Sequence, residues 1–208
     1  MKKLFGAILI IAFCGSVYAE NMFGVGGYFG ATSTGDLGDG NVCGLNMDFE
    51  VAPFVMARMS FGYMTSFDVE DYDTDSFIGF IGKEFELDDI DIGSFELGVF
   101  FKFDPIDDIF SLYCGAGFAA YYIPDIDIYG RNFREDVALE FDPVVGLWCS
   151  AGVEIGHPNF KVFAEVKAAW ADNSNVDIVV DNWYLTYYGD VAVDLSNVQV
   201  LAGLKIEY

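Results

Sequence analysis

Along most of this chain, hydrophobic and polar residues alternate with a period of two. In the C-terminal stretch SNVQVLAGLKIEY, Val198, Val200, Ala202, Leu204, Ile206 and Tyr208 share one parity, while Asn197, Gln199, Leu201, Gly203, Lys205 and Glu207 share the other. This is the period of a strand with two unlike faces. Eight segments show it, at 22–32, 42–51, 54–65, 93–103, 109–122, 143–155, 160–170 and 196–208. Each is close to the roughly 9–11 residues that a tilted strand needs to cross a bilayer. No run of useful length has apolar residues at three- and four-residue spacing between helix caps, so the chain reads as all-β.

The two faces decide the class. One parity runs through Phe23, Val25, Phe29, Met59, Phe61, Phe101, Val145, Val162 and Val198 without meeting a charge in any of the eight segments. The other carries Asp48, Glu50, Arg58, Glu96, Lys102, Glu154, Lys161, Glu165, Lys167, Lys205 and Glu207, with most of the strand glycines. A soluble barrel would turn the apolar face inward and cover its exterior with Lys, Glu and Thr. Here that exterior would be largely glycine and aromatic. A membrane barrel turns the apolar face to lipid, where a Lys or Arg at the midplane costs roughly 2–4 kcal/mol. The pattern therefore predicts a transmembrane antiparallel up-and-down β-barrel of eight strands, its charges forming a network in the lumen.

The connections agree. Those at 52–53, 104–108 and 156–159 are short and each holds a proline, whereas those at 33–41, 66–92, 123–142 and 171–195 are long. Tight periplasmic turns and extended outer loops alternate in this way. A ten-strand alternative adds 76–87 and about 182–193. It would place a long connection on the periplasmic side and shrink the outer connections to 104–108 and 156–159, so eight strands are preferred. In that arrangement 76–87 belongs to a hairpin above the membrane. The mixed stretches YYIPDIDIYG and NVDIVVDNWYLTYYGDVAVDL then continue as ribbon or pack on one another as a cap.

The first residues set the compartment. Lys2 and Lys3 precede the apolar run LFGAILIIAF, and Val17-Tyr18-Ala19 is a small-residue cleavage signature. Residues 1–19 read as a secretory signal peptide and 20–208 as the barrel domain. Phe13, where a lipid-attachment box calls for Gly or Ala, argues against lipidation of Cys14.

Composition sharpens this picture. The 208 residues are 53% hydrophobic, include 21 Phe and 23 Gly, and carry a net charge of −23. Without the leader, 33 acids stand against 8 bases. Such a chain lacks the cations that nucleic-acid phosphates require, and it is too apolar for a disordered acidic tail. The predicted lumen is nearly balanced, so the surplus acid lies in the connections. The 66–92 link alone holds ten acids: Asp68, Glu70, Asp71, Asp73, Asp75, Glu84, Glu86, Asp88, Asp89 and Asp91. Asp71-x-Asp73-x-Asp75 opens like a calcium loop, but Gly82 stands at the twelfth position in place of the bidentate Glu. No defined metal site follows; diffuse binding of divalent cations by the acidic loops stays open.

Candidate chemistry is sparse. Cys43, Cys114 and Cys149 all fall on the lipid parity, where free thiols serve as small hydrophobes. The single histidine, His157, lies in GHPN, a periplasmic turn with no Ser or Asp constellation beside it. A His-activated nucleophile is not built here. GVGGYFG sits on a strand without a following helix, so it is no dinucleotide loop; its small residues suit the crowded interior of a narrow barrel. No catalytic, cofactor-binding or metal-ligating residue is assigned, and the chain is not read as an enzyme. Aromatics near the strand ends, including Tyr63, Tyr122, Trp170, Phe103, Phe110 and Tyr208, form interface girdles.

With its leader, alternating strands, turn asymmetry and terminal strand ending in Tyr208, the chain resembles the small eight-stranded outer-membrane barrels typified by OmpX, OmpW and the membrane domain of OmpA. That resemblance implies a bacterial outer-membrane location, contact with membrane lipid and lipopolysaccharide, and insertion by the barrel assembly machinery. Gly203, Ile206 and Tyr208 match the family's terminal assembly signal, and Leu201 departs from it, standing where a polar residue is usual. It also implies a non-enzymatic role, structural, adhesive or binding, in which the acidic loops meet an extracellular or host ligand. The alternative is an OmpW-like narrow channel for small hydrophobic molecules, along Phe100, Tyr113, Trp148 and Phe163.

Overall fold

The computed structural model describes residues 23–34, 37–65, 91–106, 109–124, 126–129, 136–157, 159–171, 173–180 and 190–208. The leader, nine of the ten acids of the 66–92 link and the segment 76–87 lie outside the described residues.

Among the described residues twelve strands form: β1 (Phe23–Thr34), β2 (Gly38–Ala52), β3 (Val55–Thr65), β4 (Ile92–Ile106), β5 (Phe110–Tyr122), β6 (Ile126–Tyr129), β7 (Asp136–Phe141), β8 (Val144–His157), β9 (Phe160–Ala171), β10 (Asn173–Val180), β11 (Asp190–Asp194) and β12 (Asn197–Glu207). Eight of them close a barrel in the order β1-β12-β9-β8-β5-β4-β3-β2, and the others make a four-stranded sheet in the order β11-β10-β7-β6. This excludes the ten-strand alternative. Residues 190–194 pair with β10 outside the barrel, because β12 is already bonded on both sides, to β9 and β1.

Register fixes the barrel's shape. Stepping across the ladders from Gly24 through Asp48, Arg58, Gly98, Gly117, Trp148, Ala169 and Asn197 returns to β1 at Thr34. The ten-residue stagger implies a strand tilt of about 40°. At one end Phe23 and Tyr208 exchange backbone hydrogen bonds of 3.2 and 2.8 Å, so the first and last barrel strands meet and leave no open edge. The tight turns lie at this same end. Phe54, at φ 67°, accepts from Lys102 N at 2.9 Å, and Ile109 O accepts from Gly156 N at 2.9 Å.

The first outer connection is shorter than its polar sequence predicts. β1 runs to Thr34 and β2 begins at Gly38, directly opposite. Thr34 Oγ1 donates to Gly38 O at 3.2 Å, and Gly38 takes φ 75°, a conformation that glycine adopts without penalty. Most of the 33–41 stretch is therefore ladder, and long outer connections remain only at β3–β4, β5–β8 and β9–β12.

The outward face is apolar and exposed: Phe29, Phe101, Phe118, Val145 and Val200 each show 60% or more of their surface. Tyr63, Tyr122 and Trp170 stand exposed near the loop end, Phe103, Phe160 and Tyr208 near the turn end. Strand rise and tilt place these two levels about 25 Å apart, the height of the apolar band of such barrels. Cys43, Cys114 and Cys149 are free and exposed on this same face.

Candidate functional site

The lumen is where the charged parity converges. Nearest the turn end, Lys161 faces Lys205 across the β9–β12 ladder, a like-charge pair that would repel. Glu207 lies between them, 2.7 Å from Lys161 Nζ and 2.8 Å from Lys205 Nζ. Lys205 also pairs with Glu154, and Lys102 reaches Glu154 and Glu207 at 3.3 and 3.4 Å. Lys205 continues to Asp48 at 3.1 Å, which links this tier to the next.

There Arg58 grips Asp48 with two hydrogen bonds, Nε to Oδ1 at 2.6 Å and Nη2 to Oδ2 at 3.0 Å. Direct opposition in the β2–β3 ladder sets up this bidentate fork. Arg58 Nη1 also donates to Glu165 Oε2 at 2.7 Å, and Tyr113 Oη donates to the same oxygen at 2.9 Å. The guanidinium lies 4.1 Å from the Phe100 ring centre and 5.2 Å from that of Tyr113, close enough for cation–π attraction. Higher up, Lys167 pairs with Glu96 at 2.7 Å, its ammonium 5.7 Å from Trp148 and 5.8 Å from Tyr28.

Five acids (Asp48, Glu96, Glu154, Glu165, Glu207) and five bases (Arg58, Lys102, Lys161, Lys167, Lys205) are thus buried together. Their charges cancel, as charges removed from water must if the desolvation cost is to be offset. Glu50 stands apart. It is half-buried at the turn-end mouth, with no ion pair among the described residues, beside a shallow cavity of about 60 Å³ that it lines with Phe54, Met56 and Lys102. It sits at the end of β2, where the wall no longer shields it from water.

Aromatic rings fill the space between the charged tiers, each lying over a glycine of a neighbouring strand. A Cβ added at Gly98 or Gly117 would strike Trp148; at Gly115, Phe100; at Gly152, Tyr113; at Gly203, Phe163. Phe100 contacts both neighbours, its ring centre 5.6 Å from Tyr113 and 5.4 Å from Trp148. Trp148 Nε1 donates to Phe118 O at 3.1 Å. Of the aromatics read in the sequence as a candidate path, Phe100, Tyr113 and Trp148 thus touch one another inside the lumen, and Phe163 lies apart over Gly203.

Above Trp148 comes a part of the site that the sequence reading did not assign. Gln199 Nε2 donates to Asn197 Oδ1 at 2.9 Å, and Asn197 Nδ2 to Tyr121 Oη at 3.3 Å. Val42, Met64, Ile92, Ile123, Val144 and Leu195 are buried around them at the loop-end mouth. Their signal was present, since the barrel-strand residues among them carry the inward parity, but an apolar residue on that parity looks like an exception in a lumen read as polar.

Of the remaining candidates, Gly203 faces inward beneath the Phe163 ring, while Ile206 and Tyr208 are exposed on the outward face. His157 is exposed at a turn, where its Nδ1 accepts from Asn159 N at 3.4 Å. Among the described residues no group of three His, Cys, Asp or Glu side chains is placed to hold a metal ion.

Beyond the mouth, β6 and β7 come from the β5–β8 connection, and β10 and β11 from the β9–β12 connection. β7 pairs with β10, so the two hairpins join as one sheet. The connections thus continue as β-ribbon, and the two hairpins join edge to edge.

No protein-family model matches the chain, and the comparison with curated proteins finds no similar sequence. Solved structures do resemble it. The outer membrane protein OprG from Pseudomonas aeruginosa superimposes with a TM-score of 0.68 at 13% identity, over 90% of this chain and 96% of that one. A major outer membrane protein from Thermus thermophilus gives 0.61 at 12% identity, over 91% of this chain and all of that one. Neisserial surface protein A gives 0.59 at 12% identity, over 91% of this chain and 98% of that one. At these identities the likeness is one of architecture: the chain has the fold of the small eight-stranded outer-membrane β-barrels.

Proposed function

We propose that this protein is a non-enzymatic bacterial outer-membrane barrel, sealed to solutes, whose acidic extramembrane segments contact ligands outside the cell. The observation that carries the reading is the division of the molecule into a lumen of buried charges that cancel and a separate four-stranded sheet from its connections. The barrel offers rigidity and an anchor; the acidic extramembrane strands and connections offer the chemistry. The chain's net charge of −23 favours cationic ligands, in solution or on a surface, and excludes nucleic acid. Lipopolysaccharide or an equivalent lipid surrounds the apolar face. The barrel assembly machinery reads the terminal strand through Gly203, Ile206 and Tyr208, after export by the cleaved leader. The contact between the buried Trp148 and Phe100 rings inside the lumen counts against a channel for hydrophobic molecules.

An epitope inserted at 130–135, between β6 and β7, tests the topology: antibody should label intact cells. Shortening the β6–β7 hairpin should then abolish ligand or surface binding while the barrel still inserts. Labelling only after permeabilisation, or binding unchanged by the shortening, would contradict the proposal.

A further inference from the structure

The turn-end mouth holds more acid than the lumen cancels. Two register shifts interrupt the wall there, one in the β2–β3 ladder between Glu50 and Ala52, the other in the β4–β5 ladder between Phe103 and Ile106. The cavity of about 60 Å³ is lined from both places, by Glu50 on β2 and by Lys102 and Asp104 on β4, with Phe54, Val55 and Met56 as an apolar wall. That volume is well above the roughly 10–15 Å³ that a single water needs. Asp104 Oδ1 is buried and has no hydrogen-bond partner among the described residues. Ser111, whose place on β5 falls opposite the Asp104–Pro105 bulge, is fully buried on the inward parity, and its Oγ lacks a partner as well.

Charge says what such a cavity attracts. The five buried bases are already matched by five buried acids, so Glu50 and Asp104 add two negative charges at this end. No further Lys or Arg is at hand to meet them. Past the leader the only others are Lys83, Arg131 and Arg134, and these fall in the β3–β4 and β5–β8 connections, which leave the opposite end of the barrel. A divalent metal ion fits poorly. It wants six or more oxygens, whereas no group of three acidic, His or Cys side chains gathers among the described residues, and Lys102 stands in the wall. An ammonium group fits better. Its three N–H donors suit two carboxylates and the adjoining hydroxyl, and the Phe54 wall suits the carbon that bears it.

We propose that the turn-end cavity binds a primary ammonium group, paired with Glu50 and Asp104. This chemistry has two sources. One is a small free amine at the mouth. The other is the chain's own amino terminus, since leader removal after Ala19 leaves Glu20 three residues before Phe23, whose ladder partner Phe49 adjoins Glu50. Three residues span up to about 10 Å, enough to carry an α-ammonium from the end of β1 to Glu50. The second source rests on the leader reading, which N-terminal sequencing checks separately.

The test is a titration of the full chain in nanodiscs with methylammonium, followed through the side-chain carboxyl ¹³C signals of Glu50 and Asp104. Tetramethylammonium at equal ionic strength, which has no N–H to donate, is the control. A free-amine site gives saturable shifts with methylammonium alone, and Glu50→Gln with Asp104→Asn weakens the affinity by at least roughly tenfold. A site filled by the chain's own terminus gives no response until the α-amine is acetylated, and Glu50→Gln then moves the α-amine signal of the unacetylated protein. Strand content reports that the variants still fold. The absence of a saturable response both before and after acetylation overturns the proposal. So does an equal response to tetramethylammonium, because the two acids would then be merely screened.

Discussion

Lys167 and Glu96 form a lumenal ion pair that shares no partner with the larger cluster among the described residues, so they isolate what burial does to a charge. Lys167→Met alone leaves the buried Glu96 carboxylate unpaired and should destabilise the folded barrel by about 3–5 kcal/mol. Adding Glu96→Gln should restore most of that loss, because the neutral pair no longer carries a stranded charge. Urea unfolding of the single and double variants in vesicles checks this; equal losses in both would refute it. A second change probes the aromatic tier. Gly117→Leu puts a side chain where Trp148 and the backbone of β4 already lie, and overpacking of this kind costs about 1–3 kcal/mol. Trp148 fluorescence, with Trp170 and Trp183 replaced by Phe, should shift as the indole loses its bond to Phe118 O. At this scale the sequence disclosed faces but not partners. Parity put Arg58 and Glu165 on one surface, yet 107 residues separate them and only the closed barrel makes them neighbours. Glu50 has the right parity and the wrong height.

Among the strands, the outward face is the feature most open to test. Val166 lies near mid-height on β9 and is exposed to the apolar phase. Val166→Arg should cost about 2–4 kcal/mol in vesicles, whereas Thr65→Arg, at the loop-end limit of β3, should cost less than about 1 kcal/mol. Equal costs at the two depths would mean that the band is not set in a bilayer. The eight barrel strands were legible because an inside and a lipid outside impose strict alternation on each. The extramembrane sheet was legible only in part. DIDIY and NVDIVV alternate as strands do, but alternation does not name a partner, and the β7–β10 pairing that unites them joins residues from different connections. The first outer connection misled for a related reason. Its Gly, Asp and Thr residues read as loop, although they extend a ladder above the membrane where nothing requires an apolar face.

For the whole molecule, a neutral interior and acid-rich connections make opposite demands on the same chain. Closing the barrel buries ten charges that cancel one another, so the acid surplus stays in the connections, and the described transmembrane strands expose none of it to lipid. The central claim is that no continuous aqueous or apolar path crosses this interior. Purified full chain reconstituted in planar bilayers tests it most directly. The account predicts a baseline indistinguishable from protein-free membrane, and the appearance of conductance only when Trp148→Ala and Phe100→Ala together remove the stacked rings; steady conductance from the unaltered protein would contradict it.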